Sequence, residues 1–284
     1  MSIKIGTRSS ELALRQARLA MLELRKKFPA EGFEIVEIST RGDRDKKSPL
    51  SQLGSGGVFV KELENALLGG RIDMAVHSAK DMTASLPGEL VIGAALKRAA
   101  HEDTLVTHGG KYHVRTIGTG SPRRAAQLKQ MYPNAEILPI RGNIETRLQK
   151  LKDGEYDAVV IAKAAIERLE IHDKSIRVTV LSDVVSAAGQ GIIAVEVRKG
   201  TMEGYMSAIN DKETMAALTA ERAFLRAAGG GCHAPVGAYA RKNGENGLIM
   251  EAVAPGRNGA LSFAEGTGTD PEELGRRLWL ETQK

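Results

Sequence analysis

One three-part pattern occurs twice in this chain of 284 residues, and the repetition limits the folds open to it. Ile5-Gly6-Thr7-Arg8-Ser9 returns as Ile117-Gly118-Thr119-Gly120-Ser121, each time after a short strand pattern and before a helical one. Arg41-Gly42-Asp43 returns as Arg141-Gly142-Asn143, again leading into a helix. Asp73-Met74-Ala75-Val76 returns as Asp157-Ala158-Val159-Val160, the start of an apolar run that reads as a buried strand. Three matches in one order predict two α/β lobes of a single design, each with a Gly-Thr turn between strand and helix.

The helix after the first turn can be laid out by angle. At about 100° per residue, Glu11, Arg15, Arg18 and Arg25 fall within an arc of roughly 80°. That leaves Leu12, Leu19 and Leu22 for the buried faces. Ser9 or Ser10 and Ser121 are suited to cap the two helices, and Pro122 fits a first helical turn, where no N–H is needed. Both helix starts thus present N–H groups and a positive dipole end.

The two halves differ in length at one place. From the Arg-Gly pair to the aspartate is 32 residues in the first half and 16 in the second. Most of the surplus is Arg44 to Gly57, with Lys46, Lys47, Pro49 and Gly54-Ser55-Gly56-Gly57, a composition unable to pack a core. It reads as a flap over a cleft or as a plain flexible insertion. After Gly191, Ile192-Ile193-Ala194-Val195 returns the chain to a sheet. A helix from about Asp211 to Ala228 follows, then Gly229-Gly230-Gly231-Cys232. Strands around Val236–Ala240, Leu248–Val253 and Leu261–Glu265 and a helix opened by Asp270-Pro271 complete a small α+β domain.

Charge narrows the partners. Net charge is +5 and the isoelectric point about 9.2, which favours anions. Only 11 aromatic residues are present, too scattered for the stacking platform that single-stranded nucleic acid needs. A small polyanion fits better. The longest run without polar residues, Leu90 to Leu96, is too short to cross a bilayer. No apolar leader opens the sequence, and one cysteine, Cys232, suits a reducing compartment. A soluble, cytoplasmic protein is expected, with no nucleic acid and no membrane among its partners.

Arg8, Arg123, Arg124, Arg141 and Arg147 lie in or just after the repeated turns, where guanidinium groups and helix N–H donors can share one carboxylate. His77-Ser78-Ala79-Lys80-Asp81 ends the buried strand of the first lobe, the place in an open α/β sheet where ligands sit. Asp81 there can transfer protons or steady a developing cation. Cys232, after three glycines, is either a reactive or group-bearing thiol or an inert one. Gly118-x-Gly120 lacks the third glycine of a dinucleotide fingerprint. His101, His108 and His113 are unevenly spaced, so no metal site is expected. A two-lobed, non-catalytic binder of a small organic anion remains open at this point; Asp81 and Cys232 discriminate, since a simple binder needs neither.

The ordered motifs resemble the porphobilinogen deaminases, also called hydroxymethylbilane synthases, over essentially the whole chain. They are Gly-Thr-Arg-Ser-Ser-Glu-Leu-Ala-Leu at 6–14, Thr-Arg-Gly-Asp at 40–43, Phe-Val-Lys-Glu-Leu at 59–63 and His-Ser-Ala-Lys-Asp at 77–81. Arg-Arg-Ala-Ala-Gln-Leu at 123–128, Arg-Gly-Asn-Ile-Glu-Thr-Arg-Leu at 141–148 and Gly-Gln-Gly at 189–191 follow. Glu-Arg-Ala-Phe at 221–224 and Gly-Gly-Cys-His-Ala-Pro-Val-Gly at 230–237 complete the series.

The resemblance implies a transferase that joins four porphobilinogens head to tail, releasing ammonia each time, to give hydroxymethylbilane for tetrapyrrole and heme biosynthesis. It implies one dipyrromethane cofactor per chain, held as a thioether at Cys232. Asp81 matches the catalytic aspartate. Lys80, Thr119, Ser121, Arg123 and Arg124 match cofactor contacts, and Arg8, Ser10, Arg141, Arg147, Arg168 and Gln190 match substrate contacts. It further implies a monomer, a separate uroporphyrinogen-III synthase receiving the product, and no metal. The implied fold is α/β: two periplasmic-binding-protein-like lobes with a double chain crossover, plus a small C-terminal α+β domain. The expected boundaries are 1–95 with 189–208 (flap about 43–57, and the aspartate), 98–187, and 211–284 with the cysteine.

Several positions depart from the family pattern. Thr83 stands where proline is usual, Gly56 where lysine is, and Glu102 where arginine is. Gly120-Ser121-Pro122 replaces Ser-Ser-Leu, Ala165 a glycine, and Gly229 an acidic residue. Positions 56 and 102 are expected to remove positive charge from flexible regions, bearing on elongation more than on the reaction itself.

Overall fold

The computed structural model of the chain describes residues 2–40, 60–110, 113–230, 234–245 and 247–284. The first lobe contains β1 (Ile3–Thr7), α1 (Glu11–Lys27), β2 (Phe33–Glu37), α2 (Lys61–Leu68), β3 (Met74–Ser78) and β4 (Leu90–Ala95). The chain then passes to β5 (Asp103–His108), β6 (Thr116–Gly118), α3 (Pro122–Met131), β7 (Glu136–Leu138), α4 (Ile144–Lys152), β8 (Ala158–Ala162), α5 (Lys163–Arg168) and β9 (Ile176–Leu181). It returns through β10 (Ile193–Arg198) and α6 (Glu203–Ile209). Last come α7 (Lys212–Ala227), β11 (Gly237–Asn243), β12 (Gly247–Pro255), β13 (Leu261–Gly268) and α8 (Pro271–Thr282).

The sequence repeat becomes a repeat of sheets. One sheet has the order β2-β1-β3-β10-β4 and the other β7-β6-β8-β5-β9. In each, four strands run in one direction and the fourth in order runs antiparallel to both of its neighbours. That fourth strand always arrives from the other lobe's side of the chain: β10 completes the first sheet and β5 opens the second. The connections, residues 96–102 and 182–192, are the two lobe crossings.

Local chemistry explains why the repeated residues recur. Asp73 Oδ2 accepts the Lys4 N–H at 2.8 Å, and Asp157 Oδ2 accepts the Thr116 N–H at 3.1 Å, the same bond in both lobes. Each aspartate pins the start of a buried strand to its neighbour. A Cβ on Gly6 would lie 2.3 Å from the Ile72 side chain, and one on Gly118 would lie 2.9 Å from the Tyr156 ring. Both glycines are therefore dictated by close packing.

Helix α1 corrects one expectation. Its buried face is Ala13, Gln16, Ala17, Ala20 and Leu24, while Leu19 and Leu22 are 41% and 49% exposed. Leu12 is half-buried against the core of the second lobe. Alanines let the helix lie close on β3 and its neighbours, which turns the leucines to its flank. The third domain is a meander β11-β12-β13 covered by α7 and α8, with Phe224 at the centre of its core and Trp279 edge-on to it.

All three parts meet at the crossings. Ala99 N donates to Gly191 O at 3.0 Å, joining one crossing to the other. Gly191 has φ +83, and a Cβ there would sit 2.6 Å from Ala100 O, so the two strands of chain touch only because it is glycine. Glu221 of α7, fully buried, accepts Arg98 Nη1 at 2.6 Å, Arg98 Nη2 at 3.1 Å, Gly189 N at 2.6 Å and Ala240 N at 2.8 Å. His101 stacks on Tyr239 with centroids 3.6 Å apart. The third domain is thus fastened to both crossings at once.

Candidate active site

Asp81 closes a single 3-10 turn, Ala79–Asp81, that follows β3 directly. The turn is seated by Ala79 N donating to Ile192 O at 3.0 Å and by the burial of Ala79 and Met82 on either side of Lys80 and Asp81. Asp81 itself is exposed. A buried strand end thus carries a carboxylate out to solvent on a rigid support.

Lys80 points the other way and is half-buried. Its Nζ donates to Gln190 Oε1 at 3.2 Å. Burial, with Arg124 and Arg123 nearby, pushes its pKa down to about 8 against the pull of Asp81 and Asp103. Gln190, buried on the second crossing, passes the contact on: its Nε2 donates to His101 O at 2.7 Å and to Asp103 Oδ1 at 2.9 Å.

Asp103 opens β5 and is fully buried. Arg123 Nη2 reaches its Oδ2 at 2.7 Å, and Arg124 reaches its Oδ1 through Nη2 at 2.6 Å and Nε at 3.0 Å. Burial alone would raise the carboxyl pKa, but the two guanidinium groups override it and hold Asp103 well below the usual carboxylate range. Arg123 also donates to Val185 O and Arg124 to Val160 O. The paired arginines therefore face inward as a built cluster and are not two open forks at a helix start. Burial lowers the Arg123 pKa from its ordinary value, with Asp103 opposing.

Arg147, on α4, donates Nε to Gly142 O at 2.9 Å. Burial and then Arg124 push its pKa down to about 10, while Asp81 acts in the opposite sense across the gap between lobes. Asp81 of the first lobe and Arg147, Arg141 and Arg124 of the second therefore share one electrostatic neighbourhood. Arg168 donates Nη2 to Gly191 O at 2.7 Å, and burial takes it to about 10. Arg8 is half-buried just beyond β1, and Arg141 half-buried just before α4.

The capping serines take their expected places. Ser10 Oγ accepts the Ala13 N–H and Ser121 Oγ the Arg124 N–H, both at 3.4 Å. Thr119, buried, accepts the Ser121 N–H at 3.2 Å. Cys232, the flap at 43–57, Arg41 and Gly56 lie outside the described residues. Of the departures, Glu102 lies not in a loose region but beside β5, half-buried and 3.6 Å from Lys163, whose backbone N–H its carbonyl accepts. Ala165 is buried on α5, and Gly229 has φ +76, a conformation an acidic side chain would strain. Thr83 Oγ1 donates to Ser85 O at 2.6 Å.

Of the two buried acids that organise the site and the crossings, Asp103 is not singled out by sequence, and Glu221 enters only as the start of the Glu-Arg-Ala-Phe motif, with no role of its own. Asp103 had one signal, its position at the head of the apolar-flanked run Thr104-Leu105-Val106. Among the described residues no group of His, Cys, Asp and Glu is arranged to hold a metal. No described helix is long and apolar enough to cross a membrane.

The family profiles and the curated relatives agree in what they match. The family profile described as porphobilinogen deaminase, dipyromethane cofactor binding domain, matches residues 3–204, and that of the porphobilinogen deaminase C-terminal domain matches residues 215–283. The chain is 44% identical to the porphobilinogen deaminase of Geobacillus kaustophilus, over 97% of this chain and 92% of that one. It is 41% identical to the Bacillus subtilis protein of the same name, over 97% and 91%. For the Roseiflexus castenholzii protein the identity is 39%, over 98% and 94%. Among solved structures, the periplasmic VFT2 domain of Bordetella pertussis BvgS aligns with a TM-score of 0.45 at 17% identity, covering 76% of this chain and 91% of that one.

Proposed function

The chain belongs to the porphobilinogen deaminase family, which places it in tetrapyrrole biosynthesis, and we propose that it joins four porphobilinogens head to tail into hydroxymethylbilane with loss of four ammonia. One observation carries the mechanism: an exposed carboxylate, Asp81, stands on a fixed turn at the edge of a cationic cluster drawn from both lobes. Porphobilinogen bears an acetate and a propionate, which demand cations, and an aminomethyl group, whose loss as ammonia leaves a cation. Lys80, Arg123, Arg124, Arg141 and Arg147 supply the first need; among the described residues of that neighbourhood, Asp81 projects into solvent to meet the second.

The donor set fits a dipyrromethane with its acid side chains, since Lys80, Arg123, Arg124 and Arg147 gather there, with Asp81 and Asp103 the carboxylates that act on them among the described residues. Lys80, Thr119, Ser121, Arg123 and Arg124 would hold it, with Cys232 as the thioether anchor. When bound, it supplies the free pyrrole carbon from which the chain grows. Arg8, Ser10, Arg141, Arg147, Arg168 and Gln190 would orient the incoming substrate. Lys80 binds carboxylate as a cation below its pKa of about 8. Arg123 and Arg124, committed to Asp103, act chiefly through their field and through the helix start they hold in place.

In each cycle the substrate's C–N bond breaks and its nitrogen leaves as ammonia. Asp81 stabilises the cation that remains, then takes the proton released from the attacking pyrrole carbon once the new C–C bond has formed. The carboxylate must be ionised for both tasks. We place the enzyme in the cytoplasm as a monomer, with its product passing to a separate uroporphyrinogen-III synthase; the single cysteine supports the reducing compartment.

Intact mass of the purified protein beside a Cys232→Ser variant tests this reading. A mass excess equal to two deaminated porphobilinogen units, absent from the variant, is expected. Unmodified protein that gains the mass on incubation with porphobilinogen is the apo-enzyme and also supports it. Protein that stays unmodified under both conditions overturns it and favours a two-lobed anion binder.

A further inference from the structure

An exposed carboxylate is located only by the backbone beneath it, so the supports of the Asp81 turn decide where the acid stands. Two of them come from the third domain. Leu218 of α7, buried, packs in one cluster with Ala79 and Met82, the residues flanking Lys80 and Asp81. One turn further along the same face, Arg222 is 6% exposed and sends its Nη2 to two successive carbonyls, Thr83 O at 2.8 Å and Ala84 O at 3.1 Å. A guanidinium nitrogen bridging adjacent carbonyls fixes the path of the chain just past Asp81, and its burial protects both bonds from competing water.

Helix α7 also leads, through Ala228-Gly229-Gly230-Gly231, to Cys232. One rigid element therefore grips the acid's turn midway and feeds the thiol's segment at its end. Resting on the function proposed above, we infer that Arg222 is a positioning residue for Asp81: it holds the turn at a set height on the helix that leads to the cofactor anchor. Its Nη2 is spent on the backbone carbonyls of Thr83 and Ala84. It acts by keeping the 82–84 segment from drifting, and displacements of about 1 Å at a reacting group cost on the order of 10²-fold in rate.

The test uses holoenzyme, with the added mass confirmed in every sample. Arg222→Met keeps the length and apolar stem of the side chain and removes the donors. Arg226→Ala, one turn on and paired to Glu272 at the surface, is the control. Arg222→Met is expected to lower kcat roughly 10- to 100-fold with KM within about twofold, and millimolar guanidinium or methylguanidinium is expected to restore part of the loss. Arg226→Ala should match the wild type. Unchanged kcat in Arg222→Met overturns the inference; so does a loss that guanidinium does not relieve and that disappears on cooling well below the variant's Tm, for that marks a purely structural role. Should Arg222→Met fail to fold, Arg222→Lys carries the test. With one flexible ammonium in place of the fork, a several-fold fall in kcat without a matching fall in Tm is expected, and wild-type kcat overturns the inference. A wild-type protein that neither carries the mass nor consumes porphobilinogen overturns the reading and this inference together, whereas an active wild type with an unaffected variant overturns the inference alone.

Discussion

The ends of β3 and β8 occupy the same place in two sheets of the same order, yet they carry different residues. After β3 come Ala79, Lys80 and Asp81; after β8 come Lys163, Ala164 and Ala165, so the counterpart of the exposed acid is a buried alanine. The reverse holds at the antiparallel strands. Asp103, opposite Ala162, binds two arginines in the second lobe, while its counterpart Ile193, opposite Ser78, is apolar. One backbone plan thus hosts an acid on one side and a cation store on the other. The store is pinned inward by its own carboxylate, so Arg123 and Arg124 favour anions in the gap without collapsing onto Asp81.

The largest test of this division is Asp81→Asn, which should reduce porphobilinogen consumption by about 10²- to 10⁴-fold while fold and cofactor mass persist. Adding Ala165→Asp to that variant should restore nothing; measurable recovery would break the asymmetry, since it would mean that either lobe can host the acid. Next comes Asp103→Asn, which leaves two buried guanidinium groups facing an amide and should cost about 3–5 kcal/mol in urea unfolding. Its acid dependence has a fixed sign. Because the folded carboxyl lies far below the ordinary aspartate value of about 3.9, its contribution is full above that pH and lost as pH falls below it. The variant should therefore lose less stability than the wild type between about pH 4 and pH 2.

Lys80→Met gives a smaller effect of the same pH sense in a higher window. With a folded pKa of about 8 against an ordinary value of 10.5, protonated Lys80 opposes folding, fully below pH 8 and not at all above 10.5. In the cofactor-free protein, wild-type stability should rise relative to Lys80→Met across that window, by at most about 3 kcal/mol. A flat difference in urea midpoints would show that the lysine is well solvated. Smallest is Glu170→Gln, which removes a surface pair with Arg15 that spans the lobes at 2.9 Å; a change under about 1 kcal/mol in unfolding is expected.

Much of this arrangement was legible where local chemistry decides it. Asp73 and Asp157, and Gly6 and Gly118, do the same job in both lobes, so their recurrence revealed two like sheets. Asp211, Asp270 and Ser121 cap the helices they precede, because a cap needs only its own next three residues. Leu19 and Leu22 misled, because amphipathic angle cannot tell a sheet that wants alanine from one that wants leucine. The roles of Asp103 and Glu221 went unread for a different reason: a buried acid looks like a surface acid until its partners, 20 or more residues away, are brought to it. The crossings came from family resemblance and not from periodicity, since nothing local says that β10 belongs between β3 and β4.

That placement of β10 also sets an order of manufacture. On the ribosome, residues 103–181 emerge as one stretch containing every strand of the second sheet. The first sheet, though begun at residue 3, keeps a slot open between β3 and β4 until residue 198 has left the exit tunnel. The lobe translated first is therefore the lobe finished second, and during that interval β3 and β4 present bare edges to whatever else is nearby. A nascent chain of this protein spends its most adhesive moments waiting for its own tenth strand.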